Sequence, residues 1–414
     1  MKMRAIKSFI LLVTLASTLW ADGGSLYTRK GIGDLYFAMN ARRFAMGGGG
    51  LALNNVTDIS NLNPAGWNAI RKTRFEIGAY YNGMQLENSS SSMKYSHSNI
   101  TGFSFAVPID TLSGVVLTSG LVPYSKVSYE VITTATDPLV GNFTTSYEGN
   151  GGLNTIYFGL SAKLPLDFTL GAAFEYYFGK IEYNAKITIE NTIYKGGIFK
   201  NQNNFKGTGI NLGLISPDLS KIFGSKDITD LRLAATFNYN FSMSRDSSEI
   251  SGNTDSTFVS SSVMQDVSMP SRLGFGAAVK LFNRYQLVAD YFTQPFADMS
   301  INNRKLPTYK NLNRFSVGFE YTHPSPDRDS FWDKIALRLG FSYEETQYLI
   351  NSVSLTQYGF SAGFSIPLGG QNSVDIAFQT GKRGTTDNSL IKETFYMLNV
   401  GFSLGELWFI PLDR

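Results

Sequence analysis

One unit recurs from about Arg74 to Trp408: roughly ten residues alternating bulky apolar with polar or tiny side chains, then a turn. In Arg272–Leu281 the apolar Leu273, Phe275, Ala277, Val279 and Leu281 take every second place. Arg272, Gly274, Gly276, Ala278 and Lys280 take the places between. Successive side chains of a strand point to opposite faces, so each run has one oily face and one polar or small face. A soluble sheet can carry the same pattern. Here about fourteen such runs follow a leader-like N-terminus, and that combination predicts an all-β protein, a transmembrane antiparallel barrel.

The leader reading rests on Lys2, Arg4 and Lys7 ahead of an apolar run from Phe9 to Leu19, with Ala21 as the expected last residue before cleavage. That run falls short of the roughly twenty apolar residues of a membrane helix. Mean hydropathy is −0.09 and no later stretch reaches that length. An exported chain of this kind satisfies its backbone in a membrane only as a closed barrel. The expected location is therefore the outer membrane of a Gram-negative-type envelope, after loss of residues 1–21. Charged residues make up 17% of the 414, below the roughly 25% of an average soluble chain. Cysteine is absent, which excludes disulfides, thiolate metal sites and cysteine nucleophiles. A net charge of +3 gives no argument for a nucleic-acid partner.

The runs read as strands are Arg74–Leu86, Asn99–Ile109, Gly114–Val131, Asn154–Leu164, Phe168–Ile189, Lys206–Ile215, Asp230–Met243, Ser271–Leu281, Arg284–Phe296, Asn313–Tyr321, Lys334–Glu344, Leu355–Ile366, Ser373–Gly381 and Thr394–Glu406. Each meets the roughly 9–11 residues of a tilted membrane strand, and their even number suits a single-chain barrel. Short links such as Pro165–Asp167 and Phe282–Asn283 alternate with long polar ones such as Glu87–Ser98, Ile132–Leu153, Glu190–Phe205 and Ser244–Pro270. Alternation of short inner turns and long outer loops is a barrel trait. Two inner links, Ser216–Thr229 and Thr322–Asp333, are longer than that pattern wants.

Sorting by face puts Phe174, Phe237, Phe315, Leu339 and Phe360 on the oily side. Glu76, Lys163, Glu175, Arg232, Arg272, Lys280, Asp290, Arg314, Glu320, Arg338, Glu344 and Asp375 fall on the other. A basic side chain facing lipid at the bilayer midplane costs roughly 2–4 kcal/mol, so these charges must point inward. Equal numbers of cations and anions predict wall-bracing ion pairs and a narrow or plugged lumen.

The fifty or so residues before the first strand differ in character. Arg42-Arg43-Phe44-Ala45-Met46 leads into Gly47–Gly50, then Leu51-Ala52-Leu53, Asp58 and Asn61-Leu62-Asn63-Pro64-Ala65-Gly66-Trp67. This order resembles the N-terminal plug of the FadL-like family of long-chain fatty-acid and hydrophobic-compound transporters. The resemblance implies a fourteen-stranded barrel with a hatch closed at an Asn-Pro-Ala motif, here Asn63, Pro64, Ala65 and Gly66. It divides the chain into leader 1–21, hatch 22–70, barrel 71–409 and a short extension 410–414. Leu164-Pro165-Leu166-Asp167 and Met269-Pro270-Ser271 are similar to family segments too, whereas Ile410–Arg414 run past the final aromatic. Related plugged barrels serve protein secretion, so the family does not fix the cargo.

Proline cannot donate to a ladder, so Pro123, with Gly120, marks broken pairing in the third strand. In the resembled family that strand opens the wall sideways, which makes Gly120 and Pro123 the candidate lateral opening. The blander reading is a bulge near the rim. Asn-Pro is by itself an ordinary turn starter. Gly47–Gly50 follows no strand and lacks the spacing of a nucleotide loop, so it reads as plug backbone in close packing. His97 and His323 fall in separate links and suggest no shared site. Neither a catalytic centre, a metal site nor a cofactor is indicated, and no enzyme activity is expected.

The function expected is passive uptake of hydrophobic small molecules such as long-chain fatty acids, by a monomer embedded in outer-membrane lipid. Ligand would meet Phe143, Tyr147, Tyr194 and Phe199 on the outer loops, pass a lumen pocket, and leave by hatch movement or the wall opening. The competing reading is a scaffold or shuttle of a protein secretion system. A transporter needs a continuous apolar cavity from loops to wall. A scaffold needs a filled lumen and an exposed apolar patch at one rim.

Overall fold

The computed structural model describes residues 21–37, 40–191, 193–224, 226–253, 256–323 and 331–407. Most of the expected leader and all of the 410–414 extension lie outside the described residues.

The N-terminal segment holds two short strands, β1 (Ala21–Asp22) and β2 (Asp34–Leu35), one helical turn, α1 (Ala41–Ala45), and a 3-10 turn over Pro64–Ala69. The wall follows with β3 (Thr73–Glu87), β4 (Ser92–Asp110), β5 (Val115–Pro123), β6 (Ser125–Asp137), β7 (Gly141–Lys163), β8 (Thr169–Ile189), β9 (Gly197–Ile215) and β10 (Ile228–Asn253). It continues with β11 (Thr257–Ser268), β12 (Arg272–Leu281) and β13 (Tyr285–Gln294). Two short strands, β14 (Ser300–Ile301) and β15 (Arg304–Lys305), lie in the next link. The wall ends with β16 (Leu312–Tyr321), β17 (Ala336–Ile350), β18 (Val353–Gly369), β19 (Asn372–Arg383) and β20 (Lys392–Glu406). β5 and β6 together make one wall strand, as do β11 and β12. β20 pairs with β3 from Lys392 opposite Glu87 to Glu406 opposite Thr73 and closes a fourteen-stranded antiparallel barrel.

All fourteen runs read from the sequence fall on wall strands. Along β7, Ile156, Phe158 and Leu160 are exposed, while Thr155, Tyr157 and Ser161 on the alternate positions are buried. Phe174, Phe315, Leu339 and Phe360 continue the exposed apolar belt around the cylinder. A belt of that extent has no place on a water-soluble monomer and is covered by lipid. Of the charges assigned inward, Glu76, Glu175, Asp290, Arg314, Glu320, Arg338 and Asp375 are buried. Lys163 departs from the expectation: it ends β7 and is exposed at the rim.

The outer links are where the sequence reading fails. Glu87–Ser98 shrinks to a turn over 88–91, Ile132–Leu153 is mostly the β6–β7 hairpin, and Ser244–Pro270 is mostly the β10–β11 hairpin. Above the bilayer both faces of a strand meet water, so Ser and Thr stand on both and no alternation betrays it. β7, β8, β9 and β10 run to 23, 21, 19 and 26 residues, against 10 each for β13 and β16. One side of the barrel therefore rises as a tall outer wall. His97 likewise sits inside β4 and not in a link. At the opposite, inner end, the long link after β9 is tightened by a 3-10 turn, Leu219–Phe223, capped by Asp218.

Candidate functional site

The N-terminal segment runs through the barrel interior. Its first residues lie at the outer end, α1 lies mid-lumen, and the Asn63–Gly66 turn lies near the inner end. Asn40 starts α1 by accepting from Arg43 N at 2.9 Å, the usual N-cap arrangement. Arg42 then makes a bidentate pair with Glu320 on β16, at 3.0 and 2.7 Å. Arg338 on β17 bonds the same carboxylate at 2.5 Å and Asp375 on β19 at 2.9 Å. Arg43 turns the other way, to Asp58 of the plug, at 2.8 Å from its Nε. Further out, Arg383 on β19 bridges Asp34 at 2.8 Å and Glu393 at 2.6 Å. The predicted wall-bracing pairs exist, and two more, Arg42–Glu320 and Arg383–Asp34, join the wall to the plug.

The Gly47–Gly50 run folds against the wall. Gly47 and Gly48 adopt φ of 73° and 76°, open to glycine at little cost. Gly340 of β17 lies so close to Gly47 that a Cβ there would strike its amide nitrogen. Asp290 of β13 accepts from the amides of Gly50 and Leu51, the latter at 3.1 Å. Arg314 of β16 donates to Gly47 O at 2.8 Å, bonds Glu344 at 2.8 Å, and lies 4.8 Å over the Phe37 ring.

Asn63 is fully buried; its Oδ1 accepts from Ala65 N at 3.0 Å and its Nδ2 donates to Leu51 O at 2.8 Å. Pro64 occupies the first position of the turn, where its missing N–H leaves nothing unpaired. Gly171 and Gly213 on β8 and β9 make room, since a Cβ on either would overlap the Asn63–Ala65 segment. Trp67 stacks on Tyr157 of β7 with ring centres 6.0 Å apart.

Gly120 and Pro123 play different parts. Gly120 stays in the ladder, opposite Ser104 and Tyr157, and a Cβ there would lie 2.7 Å from the Tyr157 ring. Pro123 ends β5. Beyond it β4 and β6 part, since the β4–β5 ladder stops at Phe103 opposite Leu121 and β6 has no rung with β4. The N-terminal segment from Ala21 to Leu35 lies in the parting. β1 lies parallel to β4, with Ala21 opposite Tyr95 and Asp22 opposite Ser96. β2 lies antiparallel to the start of β6, with Asp34 opposite Lys126 and Leu35 opposite Ser125. Ser128 N donates to Thr28 Oγ1 at 3.2 Å. Two-residue strands have no sequence signature, so this filling was not foreseen.

Of the four loop aromatics, the structure joins two. Tyr147 and Phe199 line an open cavity of about 340 Å³ on the tall wall, with Tyr129, Tyr183 and Glu249. Phe143 stands higher on β7 and Tyr194 lies exposed in the turn after β8. Beside the plug the spaces are smaller: about 30 Å³ between Asn40, Asp58 and Glu76, and about 40 Å³ behind Pro123 and Tyr124. A cavity of about 140 Å³ above α1 is lined by Asp34, Lys126, Arg314, Glu344 and Arg383 as well as Phe37 and Phe395.

No curated protein matches the chain. Among solved structures it resembles a Pseudomonas aeruginosa FadL homologue at 12% identity, covering 90% of this chain and 99% of that one with a TM-score of 0.60. The Pseudomonas putida toluene transporter TodX matches at 15% identity over 90% of this chain and 100% of its own, TM-score 0.58. The Ralstonia pickettii toluene transporter TbuX matches at 13% identity over 89% and 98%, TM-score 0.58. At such identities the likeness establishes the fold, that of the FadL-like outer-membrane barrels. The family model described as BamG matches residues 1–412, essentially the whole length, and the chain belongs to the BamG family.

Proposed function

We propose that this protein is a closed outer-membrane scaffold that holds a protein partner against its tall outer wall. The observation that carries the reading is the filled lumen. An apolar cavity of about 150 Å³ admits benzene, and the space of about 40 Å³ behind Pro123, lined in part by Glu175 and Arg272, does not. The larger space above α1 is ringed by charged groups, and an apolar solute entering it would displace their water without replacing its hydrogen bonds. Plug and wall are joined at two levels, by the buried Arg42–Glu320 pair and by Arg383–Asp34 further out. Meanwhile Ile132, Leu139, Ile193, Phe258, Val259 and Met264 are exposed on the outer hairpins, above the lipid belt. Apolar side chains gathered at one rim mark a binding surface.

A second reading keeps passive uptake of hydrophobic compounds such as long-chain fatty acids. It is favoured by the parted wall at Pro123 and by the fold shared with hydrocarbon channels. Fold alone does not carry function across. In this reading ligand meets Tyr147 and Phe199, the Asn63–Gly66 turn acts as hatch, and Pro123 marks the exit.

One variant separates the two. The chain has no cysteine, and a Cβ built on Gly401 of β20 lies 3.4 Å from Ala41 Cβ, close to disulfide range. Full-length A41C/G401C in liposomes is tested for entry of radiolabelled oleate and toluene, reduced and oxidised. The scaffold reading expects background flux in both states and unchanged retention of a protein partner by native mass spectrometry. Flux that is present when reduced and lost on oxidation would overturn it in favour of uptake.

A further inference from the structure

Sheets in water hide their margins, and both margins of this tall wall, β6 and β11, are bare over their outer stretches among the described residues; only the β6 margin faces the seam that β1 and β2 enter. β6 pairs with β7 from Val127 to Asp137. Its other edge meets β2 only at Ser125 and Lys126, and among the described residues it has no ladder partner from Tyr129 to Asp137. Natural edges are shielded by lysine, proline, bulges or a covering element. The run Val131-Ile132-Thr133-Thr134-Ala135-Thr136 contains neither charge nor proline, and Ile132–Thr136 is exposed. Its β-branched side chains favour the extended state. The same seam already takes added strands: β1 joins β4 and β2 joins β6 just below. Across the seam the Tyr95 hydroxyl donates to Glu130 O at 3.4 Å, so the opening is narrow where the bare edge begins.

We propose that the β6 edge from Tyr129 to Asp137 docks one extended strand of a partner protein, added to the tall wall by main-chain hydrogen bonds. The inference rests on the scaffold reading and names its contact. Affinity comes from the backbone ladder. Selectivity comes from what the uncharged, β-branched stretch Val131–Thr136, between Glu130 and Asp137, accepts: an extended segment, itself uncharged over that stretch, with free amides at alternate positions. This continues on β6 what β2 begins.

The experiment uses the full chain in its own membrane, with benzoylphenylalanine replacing Thr133, Thr134 or Thr136, and Phe360 on the lipid face as control. Strand docking predicts cross-links to one partner segment in register, the captured residue moving along that segment as the probe moves along β6, and none from Phe360. Neighbouring amides of a strand face opposite ways. One of Thr133→Pro and Thr134→Pro should therefore lose most of the cross-linking while the barrel keeps its heat-modifiable mobility. Thr134→Lys, which places a charge at the margin, is expected to weaken docking at least tenfold. Cross-links without register, or only to a second copy of this chain, overturn strand docking and leave the scaffold standing if a partner is still retained. Loss of any stable partner brings down both.

Discussion

Glu320 lies between two guanidinium groups, Arg42 of the plug and Arg338 of the wall, with all three side chains almost wholly enclosed. Removing its charge leaves two buried cations facing each other. Breaking such a pair from one side costs roughly 3–5 kcal/mol, so Glu320→Gln is expected to lower urea resistance markedly, while the exposed pair Lys305 and Asp298 at 2.7 Å should be worth little when broken. Gly171→Val tests the inner end. Its side chain would land on Pro64 and Ala65, so the plug should detach there and trypsin should cut at Arg71 or Lys72, which it should spare in the parent. Asp218, in the inner turn outside the bilayer, loses some solvation on partial burial, yet hydrogen bonds from Ser220, Asp230 and Leu231 hold its carboxyl below the usual carboxylate range. Its folded value lies below its unfolded one. Its contribution is thus full above the ordinary carboxylate range and fades as pH falls through the folded value. Asp218→Asn should flatten the acid limb of a pH–stability curve by that amount.

At the scale of elements, legibility follows the solvent. Where one face meets lipid and the other the lumen, alternation is enforced, and β12 and β19 were readable almost to the residue. Where both faces meet water, as in the β10–β11 hairpin above Met243, the pattern dissolves and a strand passes for a loop. Within the membrane span, lipid forbids outward charges, so the sorted charges there lie inward, and only Lys163, at the rim, departs. The sort could not say that Arg42 meets Glu320 or that Asp290 receives the Gly50 amide, because such pairings join residues hundreds of positions apart. Pro123 lies where β5 ends and the β4 pairing has stopped, whereas Gly120 stays in the ladder, its smallness making room for the Tyr157 ring. Because the β10–β11 hairpin stands clear of the belt, replacing residues 247–263 by Asn-Gly should leave urea resistance of the barrel unchanged within about 1 kcal/mol, an exposed-site effect. Partner retention should fall if the apolar rim holds it.

Over the whole molecule the main fact is that a cylinder surrounds its own leading segment. The seam between β20 and β3 runs fifteen registered pairs, from Glu87 opposite Lys392 to Thr73 opposite Glu406. Once that seam has zipped, the interior, with spaces of about 30, 40 and 140 Å³ left beside the plug, offers no entry for forty more residues. Filling is therefore expected to precede closure: the segment from Ala21 to Ala69 is laid across the unfinished curve of strands before β20 meets β3, and that last seam locks in what is already placed.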